Sequence, residues 1–276
     1  MPALSATANA PPNRSREWWF AVAFAALVVA SWAALAYWSA SPYRRYVDHP
    51  GLIEPGALLA FCRSIPQGDI VVPLVLHALA WVLMIAAMML PTTFPLLTMF
   101  RNVARGRSDE SRLTLLVIAG FFVAWFAFGI VAHVADAALA RGARDFGWLA
   151  VNGWVIGAAV IGCAGLFQFS ALKYRCLEQC RTPFAFVVSR WRGKSPARDA
   201  FRIGIDHGIF CVGCCWALML CMFVVGTASV AWMLVLAALM AAEKNLLGGI
   251  RLRLPLGFGL LAIAASIVVA RTSLPA

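Results

Sequence analysis

The sequence predicts an all-α protein, a polytopic transmembrane helical bundle of about seven spans with a cytoplasmic N-terminus and the C-terminus outside. Three observations predict it. Of 276 residues, 62% are hydrophobic and 13% charged, with a mean hydropathy of +0.82, outside the range of soluble domains. The apolar residues gather into runs at about 19–38, 70–99, 113–139, 148–172, 207–226, 228–243 and 255–271. Most of these reach the ~20 residues that a helix needs to cross ~30 Å of hydrocarbon. Basic residues are distributed unevenly between alternate loops, seventeen on one side and six on the other. Lys and Arg are held on the cytoplasmic side during insertion, and this sets the orientation.

The first run follows Arg14 and Arg16, and its apolar core exceeds the ~7–15 residues of a signal-peptide core, so it is expected to be a retained span. Trp18, Trp19, Tyr37 and Trp38 bracket it, and Trp148 opens the fourth run, as amphipathic rings favour the headgroup layer. The loop at 41–69, with Pro50, Pro55 and Pro66, reads as irregular. The fourth run carries Gly153, Gly157, Gly162 and Gly165, a small-residue face that lets another helix approach closely. The fifth and sixth runs are joined by "GTAS" and are short for full crossings, which leaves a re-entrant hairpin open.

The whole chain, 1–276, reads as one transmembrane domain, and the segment 173–206 as its basic cytoplasmic part. That segment mixes eight Lys and Arg with Phe184, Phe186, Val187, Val188 and Trp191 and is expected to lie along the membrane surface, ending at Pro196. The net charge of +11 therefore points to the lipid bilayer as partner, and no nucleic-acid motif competes. The phosphate-binding Gly-x4-Gly-Lys, HExxH and serine-elbow patterns are missing, so the reading leans away from an enzyme.

The chemistry lies in "LKYRCLEQC" and "HGIFCVGCCWALMLCMF". Cys176 and Cys180 are four apart and share a helical face if the fourth helix continues past the membrane. His207, Cys211, Cys214 and Cys221 follow at intervals of four, three and seven, one stripe of a helix, with Cys215 beside it. The topology brings both groups to the cytoplasmic membrane face. That compartment is reducing, so eight cysteines imply metal or thiol chemistry rather than a disulfide framework. Thiolate ligands favour Cu(I), with Zn²⁺ in a tetrahedral site as the alternative. Cys176, Cys180, Cys211, Cys214, Cys215 and His207 are the candidate ligands. Cys163 and Cys62 stand alone and read as small hydrophobes.

Together with "MIAAMM" before "LPTTFPLLTMF" and the "EK" at 243–244, these motifs resemble a bacterial family of predicted metal-binding integral membrane proteins, some of them labelled copper chaperones. The likeness covers about 74–247 and is most specific at Lys173, Cys176 and Cys180 and at Gly208, Cys211, Gly213, Cys214, Cys215 and Trp216. It implies metal binding at the cytoplasmic (inner) membrane and narrows the site more than the activity.

Other polar groups within the apolar runs call for roles. Glu243, beside Lys244, reads as one half of an ordinary ion pair, as a metal ligand, or as a carboxylate just behind the ligands. Cys221, Met88 and Met89 are secondary candidates. His77, His133 and Asp136, with Met84, Met88 and Met89, would mark a route for a soft cation where Pro91 and Pro95 loosen the helix. Met219 and Met222 read as core filling. The expected function is to receive, store or deliver Cu(I), with a metallochaperone or a recipient metalloenzyme as partner. A thiol-redox protein using Cys211 and Cys214 and a scaffold clamped by structural zinc remain as alternatives.

Overall fold

A computed structural model of the chain describes residues 14–41, 71–145, 148, 152–225 and 229–273, and these contain no strand. Cys62, the three prolines between 41 and 69, the chain turn at 226–228 and the side chains of His77 and Asp136 lie outside the described residues.

Helix α1 spans Arg14–Ala40, α2 Val71–Met84, α3 Phe94–Val103, α4 Glu110–Asp145 and α5 Trp154–Phe167. They are followed by α6 at Ala171–Arg181, α7 at Pro183–Arg190, α8 at Pro196–Val225, α9 at Val230–Asn245 and α10 at Arg253–Thr272. Among the described residues, five helical stretches are long and apolar enough to cross a membrane: Ser15–Ala40, Ala78–Val103, Glu110–Ala135, Pro196–Met222 and Gly249–Thr272. The pair α5 and α6, bent by 64°, makes a sixth if counted as one broken span. The expected run without a full span is the sixth, at 228–243, now α9, whose 16 residues extend about 24 Å, less than the hydrocarbon thickness.

Local chemistry explains where the long runs break. Between α2 and α3 the chain passes through a π-helical turn, Ile85–Met89, and a 3-10 turn, Leu90–Thr93. Pro91 cannot donate to the helical ladder, and the altered turns accommodate the loss. Thr92 and Thr93 help by donating their hydroxyls to the carbonyls of Met89 and Leu90, each at 2.7 Å. Between α5 and α6, Ser170 is extended and its Oγ accepts from the Lys173 N–H at 3.1 Å, an N-cap that starts a new helix. Cys176 and Cys180 therefore stand on a separate bent helix, not on a continuation of the fourth span. The surface segment after it is likewise divided, with α7 starting at Pro183 and α8 at Pro196, both suited to a first helical turn.

Helix α4 crosses α8 at close range. A Cβ at Gly204 would meet the backbone of Val117, and one at Gly208 would meet Ala124 Cβ at 2.6 Å and Phe121 O at 3.1 Å. Gly120 faces the backbone of α8 from the other side. Glycine at all three positions removes the side chains that would hold the backbones apart. A second crossing joins α5 to α10, where Gly165 lies under Leu261 and the Gly257 carbonyl, so part of the expected small-residue face is used as anticipated. Trp81 on α2 donates its indole N–H to Trp125 O on α4 at 3.1 Å.

The basic segments meet at one end of the bundle. Arg105 reaches Glu17 at 2.6 Å and Arg101 reaches Glu110 at 2.9 Å. Phe100 packs edge-on against Trp191 at 5.3 Å, and Arg181 docks onto the end of α9. Trp18, Trp19, Tyr37 and Trp148 are exposed, as suits rings at a headgroup layer.

Candidate metal-handling centre

Three helix segments and one turn converge at the end of α9. From α6 come Cys176 and Cys180, from α8 Cys211, Cys214 and Cys215, from α9 Glu243 and Lys244, and from the turn before α3, Thr92. Cys176 rests on Gly213 of α8, where an added Cβ would lie 2.7 Å from its sulfur. The Cys214 and Cys215 sulfurs are 3.3 Å apart. Cys214 also meets Cys180, and Cys211 meets Cys215. All but Cys180 of these five thiols are buried.

The sequence reading missed the centre of this cluster. Lys244 donates its ammonium to Cys211 Sγ at 2.9 Å and to Thr92 Oγ1 at 3.2 Å, and it interacts electrostatically with Cys214, Cys215 and Cys180. It does not pair with its neighbour Glu243. That carboxylate instead takes both oxygens to Lys173 Nζ, at 2.9 and 2.8 Å, in a pair that is 0% and 2% exposed. Gln168 Oε1 accepts a further hydrogen bond from Lys173, while Gln168 Nε2 is buried with no partner among the described residues. Adjacent helical residues point about 100° apart and do not face each other, so Glu243 and Lys244 take their partners from different helices.

Arg181 fixes the register of this assembly. As the last residue of α6, it donates to the carbonyls of Glu243 at 2.5 Å and Lys244 at 3.2 Å, in the last turn of α9, and of Leu246 at 2.8 Å just beyond it. A cation there also suits the helix dipole. The helix carrying two cysteines is thus tied to the residue beside the cluster's lysine.

The remaining sequence candidates separate. His207 is buried between Phe121 and Phe186, with ring centroids 6.0 and 5.5 Å away, and its Nδ1 has no partner among the described residues. Cys221 is buried two turns beyond Cys214, and its thiol returns to Ala217 O at 3.4 Å. Met88 and Met89 are buried in the π turn, and Met219, Met222, Met233 and Met240 join them in the same core. Cys163 is exposed on α5, away from the cluster.

Among the described residues, no three or more His, Cys, Asp or Glu side chains surround one point at metal-binding range. The donor set nevertheless suits a soft ion, because four thiols from two helices, Cys180, Cys211, Cys214 and Cys215, lie around one cation that can offset thiolate charge. Closing them on an ion needs rotation between staggered thiol rotamers.

Residues 78–267 match the family described as PpoB2, copper chaperone. The chain belongs to this family. The match includes every cysteine of the cluster, Lys173, Glu243 and Lys244, and it agrees with the family that the sequence motifs resemble. No curated protein and no solved structure matches the chain. The family description is compatible with copper handling, and several helices are long and apolar enough to cross a membrane.

Proposed function

We propose that the protein handles Cu(I) as cargo at the bacterial inner membrane, holding it with thiolates drawn from Cys176, Cys180, Cys211, Cys214 and Cys215 and passing it on by thiolate exchange. The observation that carries this reading is the convergence of the two cysteine-bearing helices around Lys244 in a copper-chaperone family member. Thiolate is a soft donor, and exchange between thiols lets an ion move without ever being free. The lysine ammonium offsets negative charge that thiolate ligands bring into a poorly solvated place. The partner is a soluble metallochaperone that loads the site or a metalloenzyme that receives from it.

Serine keeps the shape of cysteine but lacks the soft donor. Single Cys→Ser changes at 176, 180, 211 or 214 are expected to lower Cu(I) affinity by about tenfold or more, measured by competition with a Cu(I) chelator under anaerobic conditions. Cys163→Ser should leave it unchanged. Zinc analysis of the same samples separates the alternatives. One zinc retained per chain and resistant to exchange would replace copper handling with a structural role.

The orientation we propose has the basic end cytoplasmic, as the seventeen-to-six distribution of Lys and Arg favours. Ser195 is exposed between α7 and α8. A Ser195→Cys variant should react with an impermeant thiol reagent in inverted vesicles and stay unlabelled in intact spheroplasts. The reverse pattern would invert the orientation.

A further inference from the structure

At the basic end, α7 and the start of α8 enclose a cavity of about 620 Å³ that the copper chemistry does not use. Five cationic side chains line it, from Arg190, Arg192, Lys194, Arg198 and Arg202, with two serines and two carboxylates. Both carboxylates are already engaged. Asp206 accepts from Arg190 Nε at 3.0 Å, and Asp199 accepts from the Gly193 N–H at 3.0 Å. Arg190 also lies over the Phe186 ring at 3.8 Å, which holds its guanidinium in place. Arg192, Lys194, Arg198 and Arg202 make no ion pair among the described residues. Four cations without an ion pair thus face one cavity that holds a single carboxylate outside an ion pair, Asp199, so positive charge is in excess there.

The depth of the cavity follows from the helix that forms its wall. The 30 residues of α8 extend about 45 Å, so about ten of them must lie beyond ~30 Å of hydrocarbon. All charges of α8 fall in its first eleven residues, from Arg198 to Asp206, so the projecting end is the one at the cavity. Beside it, Phe184 and Val188 occupy one face of α7 and Ile209 follows on α8, with exposures of 64%, 50% and 57%. Apolar side chains this exposed belong against acyl chains. The cavity therefore opens at the level where hydrocarbon gives way to headgroups.

We propose that this cavity seats the phosphate group of an anionic phospholipid, with Arg192, Arg198 and Arg202 as its principal donors and the acyl chains lying along Phe184, Val188 and Ile209. Arginine suits this role because its planar fork binds phosphate oxygens in pairs. The N-terminal end of α8 adds positive potential from its dipole. Such a lipid would fix α7 against α8 at the membrane boundary, and the proposal stands whether or not the thiol cluster binds copper.

The test is native mass spectrometry of the full chain in detergent, titrated with phosphatidylglycerol, with phosphatidylcholine and with inorganic phosphate. Wild-type protein should retain phosphatidylglycerol well above phosphatidylcholine, and millimolar phosphate should not displace it. An Arg198→Gln and Arg202→Gln double variant, altered at residues with no structural ion pair, should bind phosphatidylglycerol roughly thirtyfold more weakly. Phosphatidylcholine binding should be unchanged in that variant, which shows that the fold persists. Equal retention of the two lipids, or unchanged phosphatidylglycerol binding in the variant, would overturn the proposal. Displacement by phosphate alone would mark a soluble-anion site and overturn the lipid assignment.

Discussion

A Gly204→Leu variant is expected to lose about 3 kcal/mol or more of stability, or to fail to assemble, because the added side chain would have to enter the backbone of α4. A Cβ at 204 alone falls 2.8 Å from Val117 C and 3.0 Å from Phe121 N, besides its contact with the Val117 carbonyl. Backbone atoms in the middle of a 36-residue helix cannot turn aside as a flexible side chain would. The helices must separate, and α8 carries three of the five clustered cysteines with it. Gly259→Leu is the matched control, since a Cβ there meets nothing within 4 Å. Thermal unfolding in detergent should show a large drop for the first variant and little change for the second. Equal stability of the two would mean that α4 and α8 do not cross at Gly204.

The second large effect is expected at Glu243. Replacing it with alanine leaves the Lys173 ammonium fully buried, with only Gln168 as a polar partner. Removing one member of a buried pair typically costs about 3–5 kcal/mol, much of it from the charge left behind. A double Lys173→Met, Glu243→Leu variant should recover most of that loss, because neither charge then needs burial. The measurement is chemical denaturation in detergent for Lys173→Met, Glu243→Leu and their double, read as a cycle, with Glu243→Ala beside them. Additive losses would show that the two groups act independently. Glu243 also precedes Lys244 on α9, so the alanine variant should weaken Cu(I) binding, while the double variant distinguishes lost position from lost ligand.

Much of the candidate centre was legible because helical periodicity is a strong signal. The spacing of Cys211, Cys214 and Cys215 and the four-residue step from Cys176 to Cys180 each place thiols on one face, and the basic loops placed both groups at one end. Less legible was the break between α5 and α6. The apolar run at 148–172 is continuous, and only Ser170 as an N-cap reveals that the chain turns there. The glycines of "GIDHG" carry a closer helix contact than the fourth-run glycines, yet charged Asp206 between them disguises the pattern as a solvated segment. An ion pair at Glu243 was expected and is found, but the local sequence names neither its partner nor that of Lys244. Their true partners, Lys173 and Cys211, lie 70 and 33 residues away, a separation that no local pattern encodes.

The central claim is that the clustered thiols hold copper, and the most direct measurement is X-ray absorption at the copper edge on full-length protein loaded with Cu(I) without oxygen. The predicted spectrum is that of Cu(I) with a sulfur-only shell, and copper content should fall to background in a folded variant with serine at 176, 180, 211 and 214. A nitrogen or oxygen shell, or the same copper content in that variant, would contradict it.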